Sequence, residues 1–320
     1  MRHGDPATSQ PQETRNLRKA PVPQAAPLSL LHHRILDWYA REARELPWRE
    51  PGTSPWGVLV SEVMLQQTPV VRVEPVWRQW MSRWPTPADL ASCAPGDAIH
   101  AWGRLGYPRR AVRLHAAACA IVDCHHGDVP DRLADLLALP GVGSYTAAAV
   151  SAFAFGQRAA VVDTNVRRVF ARVVSGAAQA APSLTRPETD LATALLPEDA
   201  DDARTWSVAV MELGAVMCLA RSPRCPDCPV RDLCAWQLAS RPAYQGPARR
   251  RQSWHGTDRQ CRGAILAVLR AATGPVTADE MSAAWSTDDA QRDRCLDSLV
   301  ADGLVEPLSG DRLRLPGRQS

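Results

Sequence analysis

Four cysteines fall within seventeen residues, Cys218, Cys225, Cys228 and Cys234, in the spacing C-x6-C-x2-C-x5-C. Thiolates at that density suit a metal centre, either one tetrahedral zinc ion or an iron–sulfur cube. A second candidate is Leu139-Pro140-Gly141-Val142-Gly143, a tight turn between two helical stretches. Its glycines let the backbone bend sharply and approach a ligand closely. The free N–H groups that open the next helix, from Ser144 to Thr146, then suit an anion such as a phosphate. Twenty residues after Gly143, Asp163 opens the helix of AVVDTNVRRVFAR, where an Asp most often acts only as an N-cap. Glu62 stands alone on an apolar helix, a placement typical of a surface edge. Cys124-His125-His126 reads as a helix end, and no metal is expected there.

These residues need helices to position them. Leu31, Ile35, Leu36 and Trp38 begin one amphipathic helix, Val58–Gln67 forms another, and Val71–Trp84 follows beyond Pro69. Residues 86–107 read as two short helices, 108–127 as a longer one ended at Gly127, and 131–156 as helix, tight turn, helix. TNVRRVFARVVS and DARTWSVAVMELGAVMC are two more. Nothing alternates with period two between 28 and 236, so this region is expected to be all-α. Residues 237–257 are polar and arginine-rich and read as a linker. Beyond them come helices at Arg262–Ala272, Ala278–Trp285 and Ala290–Asp302, an extended GPVT, and a hairpin of GLVEP and RLRLP around LSGD. Three helices and a two-stranded wing make a winged-helix-like α+β domain over 258–320.

The 320 residues are 45% hydrophobic and 22% charged, with a net charge of +3, values of an ordinary globular chain. No run of about 18 apolar residues exists, so no membrane span is expected. Residues 1–27 lack the apolar stretch of a secretory signal and read as a disordered tail. Nine cysteines without an export signal argue against a disulfide framework. Of 37 basic residues only Lys19, in the tail, is lysine. Mechanisms that need a lysine in the folded region are excluded.

The stretch Leu46 to Val70, LPWREPGTSPWGVLVSEVMLQQTPV, resembles the MutY family of adenine-excising DNA glycosylases in the endonuclease III superfamily. GRLGYPRRAVRLHAAA and MELGAVMC match as well, and the resemblance runs over 28–236. It implies a mainly all-α, helix–hairpin–helix DNA glycosylase fold of two helical subdomains. One has six helices over about 50–157; the other joins 28–49 to 158–236 and carries an iron–sulfur cluster loop. By the same resemblance the four cysteines hold one [4Fe–4S] cluster, which fixes a loop bearing Arg221, Arg224 and Arg231 against DNA.

The resemblance also implies roles. Glu62 protonates the flipped adenine, Asp163 stabilises the cationic sugar, and Asn165 and Tyr145 support the reacting centre. Arg44, Trp48, Arg49, Leu65 and Glu212 surround the adenine. Gln67 and Tyr107 wedge into the stack beside the opposite base. The backbone of Gly141, Val142, Gly143, Ser144 and Thr146 holds a phosphate. The implied activity is base-excision repair: adenine is hydrolysed from double-stranded DNA where it faces 8-oxoguanine or guanine, and the strand is left intact. A monomer in the bacterial cytoplasm, associated with the nucleoid, is expected. Alternatives are an endonuclease III-like or thymine-mismatch glycosylase, or a non-catalytic iron–sulfur DNA-binding regulator. The sequence departs from the family at Thr164, at Pro108 and in the region after Trp236, which does not resemble the Nudix-like domain many members carry. That region is expected to touch DNA through Arg259, Arg262 and Arg312.

Overall fold

The structure is a computed structural model that describes residues 25–246 and 254–317. The expected tail lies outside the described residues except at 25–27, which open α1 (Ala25–Glu42), and the middle of the expected linker lies outside them too. Among the described residues before 247 there is no strand, as the missing period-two pattern requires.

The first half holds α2 (Pro55–Leu65), α3 (Val70–Arg83), α4 (Pro87–Ala91), α5 (Pro95–Trp102), α6 (Arg109–His125), α7 (Leu133–Ala138) and α8 (Ser144–Phe155). α2 starts earlier than the apolar pattern suggests, because Ser54 accepts a hydrogen bond from Gly57 N (3.1 Å) and Pro55 sits in the first turn. It ends at Leu65 because Gln67 turns left-handed (φ 57°) ahead of Pro69. α9 (Thr164–Val173), α10 (Arg186–Ala194), α11 (Ala200–Glu212) and the short α12 (Ala235–Leu238) follow. α10 arises where the apolar pattern gives no element; Thr185 and Glu188 form a reciprocal capping box at its start. After α11 one π-helical turn, Leu213–Met217, leads into the cysteine loop.

Two cores organise these helices. The first gathers Trp56, Leu59, Met64, Trp80, Trp102 and Leu114 from α2, α3, α5 and α6. The second joins Leu31, Ile35 and Trp38 of α1 to Val169, Trp206, Leu213 and Cys234. Leu46 and Trp48 already belong to the first core, so the chain crosses between cores around residues 39–45. Tyr145 and Met211 meet in a small cluster with Val161 at the seam.

The C-terminal region contains α13 (Asp258–Ala271), β1 (Val276–Thr277), α14 (Ala278–Ala284), α15 (Asp289–Ala301), β2 (Glu306–Leu308) and β3 (Arg312–Arg314). The order is that of a winged helix, but the sheet has three strands in the order β1-β3-β2, all antiparallel. Leu313 pairs with both Val276 and Pro307, which turns the expected hairpin into a sheet. Cys261, Ile265, Leu269, Leu299 and Leu313 continue the first core instead of forming a separate one.

Candidate active site

α2 carries Glu62 into the seam between the two cores, where it is only 5% exposed. Burial pushes its pKa up to about 7, against the hydrogen bond from Tyr145 and the charge of Arg49, which act to lower it. The Tyr145 hydroxyl, on the first turn of α8, donates to Glu62 Oε2 at 2.7 Å. Burial and the neighbouring Glu62 and Asp163 carboxyls raise the Tyr145 phenol well above 10, so it stays a neutral donor. The charge of Asp163 acts on both residues, which places the two carboxyls in one electrostatic neighbourhood.

Asp163 does cap a helix, as its residue type suggests. Its Oδ1 accepts from Asn165 N (2.8 Å) and Val166 N (2.7 Å), and its Oδ2 accepts from Asn165 Nδ2 at 2.8 Å. Burial raises its pKa, while these donors and Arg168 act to keep it ionised. Arg168 extends the chain of contacts. Its Nη2 donates to Asn165 Oδ1 (2.7 Å) and Gly214 O (2.6 Å), and its Nε to Cys218 O at 2.7 Å. A Cβ on Gly214 would stand 2.6 Å from that of Asn165, so the π-helical turn and α9 approach as closely as glycine permits. Sequence reasoning missed Arg168; its only signal was a basic residue one turn into the helix that Asp163 opens.

Arg44, Arg49 and Glu212 form one ionic group. Glu212, fully buried, accepts from Arg44 Nη2 (2.8 Å) and Arg49 Nη2 (2.9 Å). Burial would raise the Glu212 carboxyl, but the two arginines more than offset this and hold it low. The carboxylate thus fixes both arginines in one ionic group. Arg49 Nη1 is buried without a hydrogen-bond partner among the described residues. Trp48 packs in the first core, edge-on to Trp77 at 5.8 Å. Leu65 is half-buried at the end of α2.

The hairpin between α7 and α8 has Gly141 at φ 79°, where a Cβ would come within 2.7 Å of Arg113 Cβ. Gly141 is therefore required by the chain itself. Gly143 is not, since a Cβ there meets open space. It caps α8 without a side chain, which leaves the first-turn N–H groups to an external anion. Gly143 and Ser144 are exposed and Val142 is buried. The Thr146 side chain points inward and accepts from Gln66 Nε2 at 3.1 Å, so only its backbone suits an anion.

Gln67 and Tyr107 are both exposed and both left-handed, at φ 57° and 48°. Non-glycine residues hold that strained conformation only when their surroundings enforce it. Arg110 enforces it at both. Its guanidinium, buried, donates to Val63 O (2.9 Å), Met64 O (3.2 Å) and Gln66 O on one turn. It also reaches Thr68 Oγ1 (3.0 Å) and, on the other turn, Gly106 O (3.0 Å). Trp102 Nε1 donates to the same Gly106 O at 2.9 Å. Sequence reasoning missed Arg110 as well, since an arginine opening an amphipathic helix reads as solvated.

Cys218, Cys225, Cys228 and Cys234 line one cavity with Arg172 and Val173. Among the described residues no three His, Cys, Asp or Glu converge on a single ion position. Four thiols lining one cavity are the donor set an iron–sulfur cluster takes, each sulfur binding its own iron. Arg172, buried, places Nη1 3.4 Å from Cys218 Sγ and 2.7 Å from Leu219 O. Arg221, Arg224 and Arg231 lie in the same loop, and Arg224 and Arg231 line the cavity.

Comparison with known proteins agrees with this geometry. Residues 60–192 match the HhH-GPD superfamily of base excision DNA repair proteins, and residues 218–234 match the iron–sulfur binding domain of endonuclease III. The chain is similar to the adenine DNA glycosylase of Mycobacterium tuberculosis, with 56% identity over 284 residues covering 88% of this chain and 92% of the relative. That of Mycolicibacterium smegmatis is 53% identical over 88% of this chain and 95% of its own. The human adenine DNA glycosylase is 43% identical over 62% of this chain and 38% of its own. The mycobacterial alignment is too long for residues 1–236 to contain, so it takes in the C-terminal region too. Among solved structures, a thermostable thymine-DNA glycosylase aligns with a TM-score of 0.60 at 26% identity, covering 67% of this chain and 98% of its own. An endonuclease III–DNA covalent intermediate aligns at 0.59 over 68% and 99%, and at 23% identity it shows the fold alone. Site geometry, cluster loop and overall similarity agree: the chain belongs to the adenine DNA glycosylase family.

Proposed function

We propose that the protein excises adenine paired with 8-oxoguanine or guanine in duplex DNA, as a monofunctional glycosylase of base-excision repair. One observation carries the reading: a buried Glu62 with a pKa of about 7, in the electrostatic neighbourhood of Asp163. Such a pair supplies one neutral acid and one charged stabiliser, the division of labour that glycosidic cleavage needs. Glu62 gives its proton to N7 of the flipped adenine. The bond from N9 to C1′ then breaks with its electron pair leaving on adenine, and the Asp163 carboxylate stabilises the cationic C1′. Water adds to C1′ and releases a proton, which returns to the Glu62 carboxylate. Asn165 and Tyr145 orient the two carboxyls. Arg49, with a buried donor unpaired, offers a hydrogen bond to the base, and Arg44 and Glu212 hold it in place.

Opening the strand through a Schiff base needs an amine. Residues 20–320 contain no lysine, and Tyr145 follows the hairpin instead. The first turn of α8 holds a phosphate, and Gln67 and Tyr107 enter the stack beside the base that faces adenine. Cys218, Cys225, Cys228 and Cys234 hold a [4Fe–4S] cluster, which supplies a cross-link to the loop 218–234 rather than chemistry at the sugar. The division into a catalytic region at 28–236, a linker and a C-terminal domain from 258 belongs to this reading, as does action by a monomer on nucleoid DNA in the bacterial cytoplasm. Incubating the purified protein with an A:8-oxoguanine duplex tests it: an abasic product that breaks only on alkali treatment is expected. Scission without alkali would indicate a lyase, and no product would refute the reading.

A further inference from the structure

Tyr107 has company from the C-terminal region. The Arg259 guanidinium lies 5.9 Å from the Tyr107 ring centroid and 4.9 Å from that of Trp254, so one arginine serves two rings. Tyr107 keeps 48% and Trp254 47% of its surface exposed, and Arg259 is exposed as well. A tryptophan that leaves half its surface in water forgoes the burial that normally stabilises so large a side chain. Thr257 Oγ1 donates to Trp254 O at 2.8 Å, at the start of α13, and the region that follows is docked on the first core. Gly96 N donates to Pro316 O at 2.8 Å, Arg270 Nε to Ile99 O at 3.1 Å, and Arg109 pairs with Asp302 at 3.1 Å, two residues from Tyr107.

The three arginines expected to reach DNA from this region now separate. Arg262 is held by Ser298 and Asp302, and Arg312 donates to Ser309 O at 3.3 Å. Of these three only Arg259 stands beside Tyr107, whose ring also has the Arg110 guanidinium at 5.3 Å. The chain just before Trp254 reads Arg249-Arg250-Arg251, which adds positive charge to the same stretch of sequence.

We propose that Trp254 and Arg259 join Tyr107 in a stacking platform for the DNA strand opposite the flipped adenine. The inference rests on the placement of Tyr107 beside the opposite base in the proposed function. Aromatic faces stack on any base, and an arginine shared between rings adds a cation that pairs with the adjoining phosphate. In this chain the C-terminal region would thus contribute to holding the opposite strand, by stacking and charge on the wedge residue itself.

The test uses the full chain and a duplex in which 2′-fluoro-adenosine, resistant to glycosidic cleavage, faces 8-oxoguanine. Dissociation constants are measured across a range of salt concentrations. Trp254→Ala is expected to weaken binding about tenfold with the salt slope unchanged, because a stacking surface and no charge is lost. Arg259→Ala is expected to weaken it by a similar factor and to lower the salt slope by about one, with Arg259→Lys restoring the slope but not the full affinity. Dissociation constants of Trp254→Ala and Arg259→Ala both within twofold of the unaltered protein would overturn the platform. The unaltered protein is assayed in parallel on a cleavable A:8-oxoguanine duplex. Failure there would refute the excision reading, whereas excision with unchanged affinities in the variants would refute the platform alone.

Discussion

Glu62 couples activity and stability in opposite directions. Its pKa rises from 4.5 to about 7 in the folded protein, so the fold favours the protonated acid. The cost of burying the carboxylate is absent below pH 4.5, grows as pH rises toward 7 and is constant above it. Glu62→Gln is therefore expected to stabilise the protein at pH 8, on the order of 3 kcal/mol, and to leave stability unchanged at pH 4. Urea unfolding at the two values checks this. In the proposed mechanism excision needs Glu62 protonated and Asp163 ionised, so its rate is expected to fall as pH rises through 7 and to fall again in acid as Asp163 protonates. The Tyr145 hydrogen bond acts to lower the Glu62 pKa, so Tyr145→Phe should move the alkaline limb of the rate profile to higher pH; a shift to lower pH would contradict the arrangement. Asp163→Asn separates cap from charge. Asparagine caps about as well as aspartate, so the melting temperature should hold while excision falls at least about a hundredfold. Glu62 and Asp163 were legible because each stands in a run that resembles a known family. The pairing of Glu212 with both arginines and the burial of Trp48 were not, since residue type and spacing do not say which partner a side chain finds across the seam.

At the scale of elements, the site depends on two strained turns held together by one buried arginine. Replacing Arg110 by Met removes donors from carbonyls on both turns and from Thr68. Each acceptor left buried and unpaired costs about 1–3 kcal/mol, so the variant should lose at least about 3 kcal/mol of stability. It should also bind DNA more weakly, as Gln67 and Tyr107 relax from positive φ; a variant with unchanged unfolding midpoint would contradict the role. Helix starts were visible in sequence at Thr86-Pro87 and at the glycine pair of the hairpin, whereas the apolar pattern put the start of α2 at Val58 and passed over the local signal Ser54-Pro55. α10 could have been read from Thr185-Arg186-Pro187-Glu188, whose capping-box spacing is a local signal. The π-helical turn at Leu213–Met217 could not, because the close approach of Gly214 to Asn165 that accompanies it is tertiary.

The whole molecule is less divisible than its sequence suggests. The composition change after Trp236 reads as a boundary, and the winged order of helices and strands beyond it was legible from local patterns. Of the third strand only the extended GPVT was legible; its pairing with β3 was not, since two residues, Val276 and Thr277, carry no period. Nor was the docking, in which Ile265, Leu269 and Leu313 join the core that surrounds α2. Removing residues 254–317 would expose that apolar surface, so the shortened chain should melt lower than the full chain and bind a hydrophobic dye. Unchanged melting would mean that the region is an independent appendage. The central claim, adenine removal by a neutral Glu62 and a charged Asp163 without strand cleavage, is tested most directly by single-turnover assay of an A:8-oxoguanine duplex with unaltered, Glu62→Gln and Asp163→Asn proteins. The expected result is an alkali-labile abasic site from the unaltered protein and none from Glu62→Gln, with at least about a hundredfold loss for Asp163→Asn. Full activity in either variant, or a cut strand before alkali, would contradict it.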